Sequence, residues 1–239
     1  MQPICHKAPP QANIRQHKMH FFENGFEYIN DFISQQWLNA IVKEIEPCAD
    51  LNNNSGVRHI NKKLPLIADY LNSTEFKYKS QNFLPAGTAL VRALLFNKSP
   101  ASNWYVTWHQ DKTVSVSKQF DAAGWRAWSI KDGSLHVQPP LEILEEMVTI
   151  RVHLDAAPKE NACLQVIPAS HKLGLLSSEQ ISNIVTTHEP HYCEANKGSA
   201  LIMRPHLLHA SSKSTHPGNR RVLHFEFSAW RLPNGIYWD

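Results

Sequence analysis

Trp108-His109-Gln110-Asp111 is the stretch that decides how the rest of this chain is read, together with His209 about a hundred residues later. Two imidazoles and one carboxylate make the facial ligand set of Fe(II) oxygen chemistry, with the opposite face open for a co-substrate and dioxygen. A spacing of two suits a strand, because alternate side chains point to the same side of a sheet. The distant His then arrives on a strand brought alongside, which a closed double sheet allows. The H-x-D pair is weak by itself. Among fourteen His one such pair arises readily by chance, and the competing reading is a surface turn with a salt-bridged Asp.

The composition is that of a globular protein able to bury a core, with 42% hydrophobic and 19% charged residues. At 239 residues one domain suffices, since barrels and sandwiches reach this size undivided. Net charge is +3 with no basic run, so no nucleic-acid partner is expected. No apolar run nears the ~20 residues that span a bilayer, and no signal-like apolar segment opens the chain, so no membrane partner is expected. Cys5, Cys48, Cys163 and Cys193 lie far apart without a C-x-x-C pair, which suits reduced thiols in a cytoplasm. Oligomeric state is not legible.

In chain order, the polar residues 1–20, with Pro9-Pro10, read as a loose lead-in. Residues 21–239 read as a single domain. Phe26 to Phe32 holds a short strand. Trp37, Leu38, Ile41, Val42 and Ile45 fall on one face of a helix capped by Ser34 and followed by Pro47. Asn52-Asn53-Asn54-Ser55-Gly56 reads as a surface loop, and Pro65 to Leu71 and Thr74 to Phe83 as two short helices. From Thr88 the pattern turns to strands: 89–96, interrupted by Arg92, then 104–109, 113–117, 147–155, 162–167, 192–194, 199–203 and 220–227. Ser178 starts a short helix. Gly124 to Pro140 is aromatic and Gly/Pro-punctuated, and is expected as a long lid loop over the pocket mouth. The whole predicts a mainly β (α+β) fold, a jelly-roll core with N-terminal helices packed outside.

His206 and His209 compete for the distal ligand position. Arg220, eleven residues after His209 at the start of the last strand, favours His209. An iron site of this kind commonly uses a 2-oxo acid as electron donor. A dicarboxylate donor needs a cation for its far carboxylate, and Arg offers a planar bidentate fork. Ser211 adds a hydroxyl beside it. On strand 149–155, alternation puts Thr149, Arg151 and His153 on one face. If that face is inward it lines the cavity, Thr149 toward the co-substrate and Arg151 and His153 toward substrate. A buried Arg is rare without a partner, so Arg151 awaits an anionic substrate or a protein carboxylate. Arg92, a cation on an apolar strand, needs a counter-charge too. It is assigned to the co-substrate, with an acidic residue on a neighbouring strand as the alternative. Trp128, on the long loop with Trp125 and His136, is a substrate-contact candidate against plain loop anchoring. His224 and Glu226 share parity with Arg220 and read as packing residues.

His109-Gln110-Asp111, then the run Leu164-Gln165-Val166-Ile167-Pro168-Ala169-Ser170-His171-Lys172-Leu173-Gly174, then Leu207-Leu208-His209-Ala210-Ser211 with Arg220, resemble the phytanoyl-CoA dioxygenase family over roughly residues 21 to 238. The resemblance implies a double-stranded β-helix, with His109, Asp111 and His209 as Fe(II) ligands. It further implies Arg220 and Ser211 on the distal carboxylate of 2-oxoglutarate, and O2 as oxidant. Ala169 and Ala162 stand where the family's turns carry Gly. Asp111 is retained, whereas the related halogenases lose that carboxylate. The expected function is Fe(II)/2-oxoglutarate-dependent oxidation of an unactivated C–H bond in a small metabolite, by hydroxylation, desaturation or oxidative ring closure, in natural-product biosynthesis. The alternatives are a non-catalytic binding protein on the same fold, or an oxygenase acting on a protein side chain.

Overall fold

The computed structural model describes residues 11–48, 51, 56–215 and 218–239. In chain order the elements are α1 (Gln11–Asn24), β1 (Phe26–Ile29), α2 (Gln35–Ile45), β2 (Gly56–Arg58), α3 (Ile60–Lys63), α4 (Pro65–Asn72), α5 (Thr74–Ser80), β3 (Ala89–Lys98), β4 (Val106–His109), β5 (Val114–Val116), β6 (Arg126–Lys131), β7 (Ser134–Gln138), α6 (Leu141–Glu146), β8 (Val148–His153), β9 (Leu164–Val166), α7 (Ser178–Thr187), β10 (His191–Cys193), β11 (Ala200–Met203), β12 (His209–Ser211) and β13 (Arg220–Ser228). Six strands form one antiparallel sheet in the order β1-β11-β8-β13-β3-β2. Four form a second, β10-β9-β12-β4, and three form a small third, β5-β7-β6. The large and four-stranded sheets make the double-stranded β-helix.

The large sheet has two unlike faces. Outward-facing Ala93, Leu95, Val148, Ile150, Val152, Leu223 and Phe225 belong to one buried cluster with Leu38, Ile41 and Ile45 of α2, Ile67 and Tyr70 of α4 and Phe76 of α5. Phe76 lies edge-on to Phe225, with ring centroids 6.1 Å apart. Alternation turns the intervening residues, Arg92 and Lys98 on β3, Arg151 and His153 on β8, and Arg220, His224 and Glu226 on β13, to the inner face.

Two elements differ from the sequence reading. Residues 11–20 are not a loose lead-in but most of α1, while 1–10 lie outside the described residues. The helix lacks an amphipathic stripe. It is anchored at its end, where Phe21 stacks on Phe83 and under the Arg204 guanidinium, 4.6 Å from the ring. The 124–140 segment is not an open lid but mostly the β6–β7 hairpin. Its two-residue turn is Asp132-Gly133, with φ of 49° and 80°. Positive φ at both positions is what tight hairpins require, and an Asp-Gly pair supplies it. Trp128 stacks edge-on to Phe120 (5.4 Å) and packs with the Val114, Val116 and Val137 cluster. Ser34 precedes α2 as expected but makes no side-chain cap bond; its N–H donates to Glu75. The 52–55 loop lies outside the described residues, and Gly56 opens β2.

One turn positions the site. Ser170–Leu173 forms a 3-10 turn after Ala169, whose φ is 62°. Ser170 Oγ accepts from the Leu208 N–H (2.9 Å), and the His206 Nε2–H donates to the His171 carbonyl (3.1 Å). The turn thereby holds the chain entering β12. Ala162, φ 54°, closes the preceding turn in the same left-handed conformation. A Cβ there crowds the carbonyl, at roughly 1–2 kcal/mol per residue.

Trp128→Ala is expected to lower unfolding stability by about 2 kcal/mol, as a half-buried aromatic should; unchanged stability would restore the lid. Ala169→Gly is expected to raise stability by about 0.5–1 kcal/mol, the relief of left-handed strain less the extra chain entropy. Urea denaturation measures both.

Candidate metal centre and co-substrate cavity

His109 and His209 are direct cross-strand partners in the β4–β12 pair. Their ring centroids lie 4.2 Å apart. Asp111, two residues past His109, comes back to the same side. Its Oδ1 is 3.8 Å from His109 Nε2 and its Oδ2 is 3.7 Å from His209 Nε2. The three ligand atoms lie within 4.8 Å of one another. Each imidazole has its proton fixed. His109 Nδ1–H donates to the Thr107 carbonyl (2.8 Å) and His209 Nδ1–H to the Leu207 carbonyl (2.7 Å). A carbonyl can only accept, so Nδ1 carries a hydrogen and Nε2 is the ring nitrogen that each imidazole turns toward Asp111. A metal-ligating His usually donates its other N–H in this way.

Neighbouring residues fix the carboxylate. The Asp111 N–H donates to the Pro205 carbonyl (3.0 Å). Gln110 turns the other way, donating to the Gly174 and His206 carbonyls and accepting from the Leu176 N–H, each at 2.8 Å. It ties the end of β4 to the turn that holds β12. Burial raises the Asp111 pKa, but His209, His109 and Arg92 outweigh it and hold the carboxyl below its usual range. Burial, then His109, pushes His209 down to about 3. Asp111 is thus a carboxylate set between two imidazoles, the donor set of a divalent first-row metal. His206 stands apart, fully buried and bonded to the 171 turn, with burial pushing it down to about 4.

The inner face of the large sheet lies beside the three ligands, with His224 and Glu226 close to Asp111. A hydrogen-bonded chain runs along it. Arg151 Nη1 donates to His224 Nδ1 (2.8 Å), His224 Nε2–H donates to Glu226 (3.0 Å), and Glu226 pairs with Arg92. The co-substrate role expected for Arg92 therefore gives way to the neighbouring-strand alternative: Glu226, its direct cross-strand partner, meets its charge. His224 and Glu226 are not mere packing residues. Their ligand atoms lie within 4.8 Å of an Asp111 oxygen. This second cluster is the poorer metal site, because Glu226 already serves Arg92 and the His224 nitrogens are both engaged. The Arg151 partner is neither an anion nor a carboxylate but His224, and its Nε has no hydrogen-bond partner. Thr149 Oγ1 and His153 Nδ1, on the same face, are buried and likewise unpartnered.

At the other end stands Arg220, 3% exposed. Its Nη1 donates to the Ala162 carbonyl (2.6 Å) and to Ser211 Oγ (3.3 Å), and its Nε is unpartnered. Among the described residues no carboxylate pairs with it. Burial, then Arg151, brings its pKa down to about 9. The adjacent Arg221 is taken by Asp155 through two bonds of 2.8 Å, which leaves Arg220 as the free fork. Sequence reasoning missed Lys98, buried directly across from Arg220. The available signal was parity: Lys98 is six residues beyond Arg92 on a ten-residue strand, hence on the same face.

No curated protein matches the sequence. Among solved structures, HygX from Streptomyces hygroscopicus with nickel and 2-oxoglutarate bound is similar at a TM-score of 0.62 and 15% identity, over 91% of this chain and 89% of that one. The non-heme alpha-ketoglutarate-dependent epimerase SnoN from nogalamycin biosynthesis is similar at 0.68 and 10%, over 92% and 84%. EctD from S. alaskensis with bound Fe follows at 0.65 and 16%, over 90% and 75%. At such identities the likeness is one of fold. The sequence itself matches the family model for phytanoyl-CoA dioxygenase over residues 21–222. The chain belongs to the phytanoyl-CoA dioxygenase family, and so to the iron- and 2-oxoglutarate-dependent enzymes.

Proposed function

We propose that this enzyme oxidises an unactivated C–H bond of a small polar metabolite, with His109, Asp111 and His209 as the iron ligands and Arg220 with Ser211 as the seat of the 2-oxoglutarate distal carboxylate. The observation that carries the reading is the pair of Nε2 atoms turned toward one carboxylate, each ring held by a backbone carbonyl. Bound iron, with 2-oxoglutarate and dioxygen, supplies the oxidising power for breaking such a bond. The chain's own residues bind and aim. The two carbonyl locks keep both imidazoles oriented, and Gln110 and the Pro205 carbonyl keep Asp111 in place. Arg220 offers the fork that sets the far end of the co-substrate. Arg151 and His153 line the wall beyond with free polar atoms and form the substrate side, while Thr149, whose hydroxyl is also free, stays with the co-substrate.

The charged wall favours a polar substrate over a fatty-acyl chain, which would strip water from Arg92, Glu226 and Arg151 without replacing its hydrogen bonds. Two of the similar structures concern natural products: one HygX structure holds hygromycin B and SnoN comes from nogalamycin biosynthesis. Tailoring of a secondary metabolite fits both the wall and these neighbours. Hydroxylation, desaturation and ring closure would all use the same residues. Trp128 is not carried forward as a substrate residue, since its ring is engaged with Phe120.

Asp111→Ala is expected to abolish Fe(II) binding and turnover, and His209→Ala to do the same. His206→Ala is expected to lower stability while metal binding persists. Iron content and thermal unfolding of the three variants test this; a metal-free His206 variant beside a metal-bound His209 variant would exchange their roles. Arg220→Lys keeps the charge but loses the fork. Losing a charge-assisted bond costs about 1.5–3 kcal/mol, so KM for 2-oxoglutarate should rise roughly ten- to a hundredfold with kcat less affected. An unchanged KM would remove Arg220 from the co-substrate site.

A further inference from the structure

Lys98 has no exposed surface, and no carboxylate pairs with it among the described residues. Its Nζ donates to Ser211 Oγ (2.8 Å) and to the Ser212 carbonyl. An ammonium has three donors, so one remains. Trp104 offers its ring face at 5.2 Å, a cation–π contact that offsets only part of the loss of water. The nearby charges make matters worse. Arg220 is the direct cross-strand partner of Lys98, and Arg151 stands on the next strand. Burial, then Arg220 and Arg151, pulls the Lys98 pKa down to about 7. A buried ammonium beside two buried guanidiniums needs an anion. A purely structural donor to Ser211 and Ser212 could have been a neutral side chain.

We infer that Lys98 is a second cation for the distal carboxylate of 2-oxoglutarate, reaching it from the strand beside Arg220, with the Ser211 hydroxyl between the two. This rests on the proposed reading of Arg220. Ser211 Oγ is the hub of the arrangement. It accepts from Lys98 and from Arg220 Nη1, and it donates to the Ala162 carbonyl (3.0 Å). A carboxylate has two oxygens: one for the Arg220 fork, the other for the remaining Lys98 donor. The Ser211 hydrogen can swing from the Ala162 carbonyl to either. Selectivity for a dicarboxylic 2-oxo acid is then shared by two cations on adjacent strands.

The test is binding, read from the visible absorption of a 2-oxo acid chelated to Fe(II) without oxygen. The probes are 2-oxoglutarate and 2-oxopentanoate, the same chain without the distal carboxylate. Lys98→Met should weaken 2-oxoglutarate by about ten- to a hundredfold, as expected for losing a hydrogen bond to a charged group, and leave 2-oxopentanoate unchanged. Arg220→Gln should keep a residual preference for 2-oxoglutarate, which the double variant loses; this arm does not depend on the Lys98 variant folding. Equal weakening of both acids in Lys98→Met, no weakening of either, or loss of all preference in Arg220→Gln alone would overturn the inference. A wild-type protein with no preference for 2-oxoglutarate would overturn the underlying reading instead, before any substitution is made.

Discussion

Two backbone carbonyls, of Thr107 and Leu207, hold the protons of His109 and His209, and the rest of the site depends on that pair of bonds. They decide which ring nitrogen faces Asp111, and the direct cross-strand placement of the two residues brings both Nε2 atoms to one place. Much of the surrounding structure maintains this. The 170–173 turn grips the chain just before His209, and Gln110 ties that region to the end of β4. The motif run from Ile167 to Gly174 therefore serves the metal site without contributing a ligand: it is a brace, and His171 and His206 are parts of it.

A second constraint is the charge on the inner wall. Arg151, His224, Glu226 and Arg92 form one continuous chain, in which the single carboxylate serves both His224 and Arg92. That chain is self-consistent at one end and open at the other, where Arg151 Nε lacks a partner. Positive charge without a carboxylate partner among the described residues gathers at Arg151, Arg220 and Lys98. An acidic co-substrate is the natural occupant of such a place, and it would lower the mutual repulsion of the cations that receive it.

What could be read in the chain followed from how local the signal was. The His109–Asp111 spacing is set within three residues, and the α2 pattern within eleven, so both were legible. The offset to Arg220, a longer but still sequential cue, favours His209 over His206, and the structure sets His209 beside Asp111. Arg92 and Glu226 lie 134 residues apart, and no rule of spacing pairs them; only the β3–β13 register does. Lys98 lies beyond the apolar run, which ends at Phe96, so only the full length of β3 brings it into parity with Arg92. The β6–β7 hairpin was hidden by aromatic and Pro content that resembled a loop, although Asp132-Gly133 carried the turn signal. Helix α1 was hidden because its hold on the fold is a terminal anchor, not a repeating stripe.

The β3 and β13 strands are apolar toward the helices and charged toward the barrel axis, the reverse of a sheet lying on a solvated surface. Their partnership over nine pairs therefore works as a proofreading device during folding. A slip of β13 by one residue against its neighbours would turn Arg220 and Glu226 out into the helix layer and bring Leu223 and Phe225 to the inner face. Two ionised groups would then face an oily layer with nothing to bind, a misfold well above the native state in free energy. The residues that prepare the cavity for chemistry also make the wrong alignment of this sheet unaffordable, so selection for the reaction and selection for a unique fold act here on the same side chains.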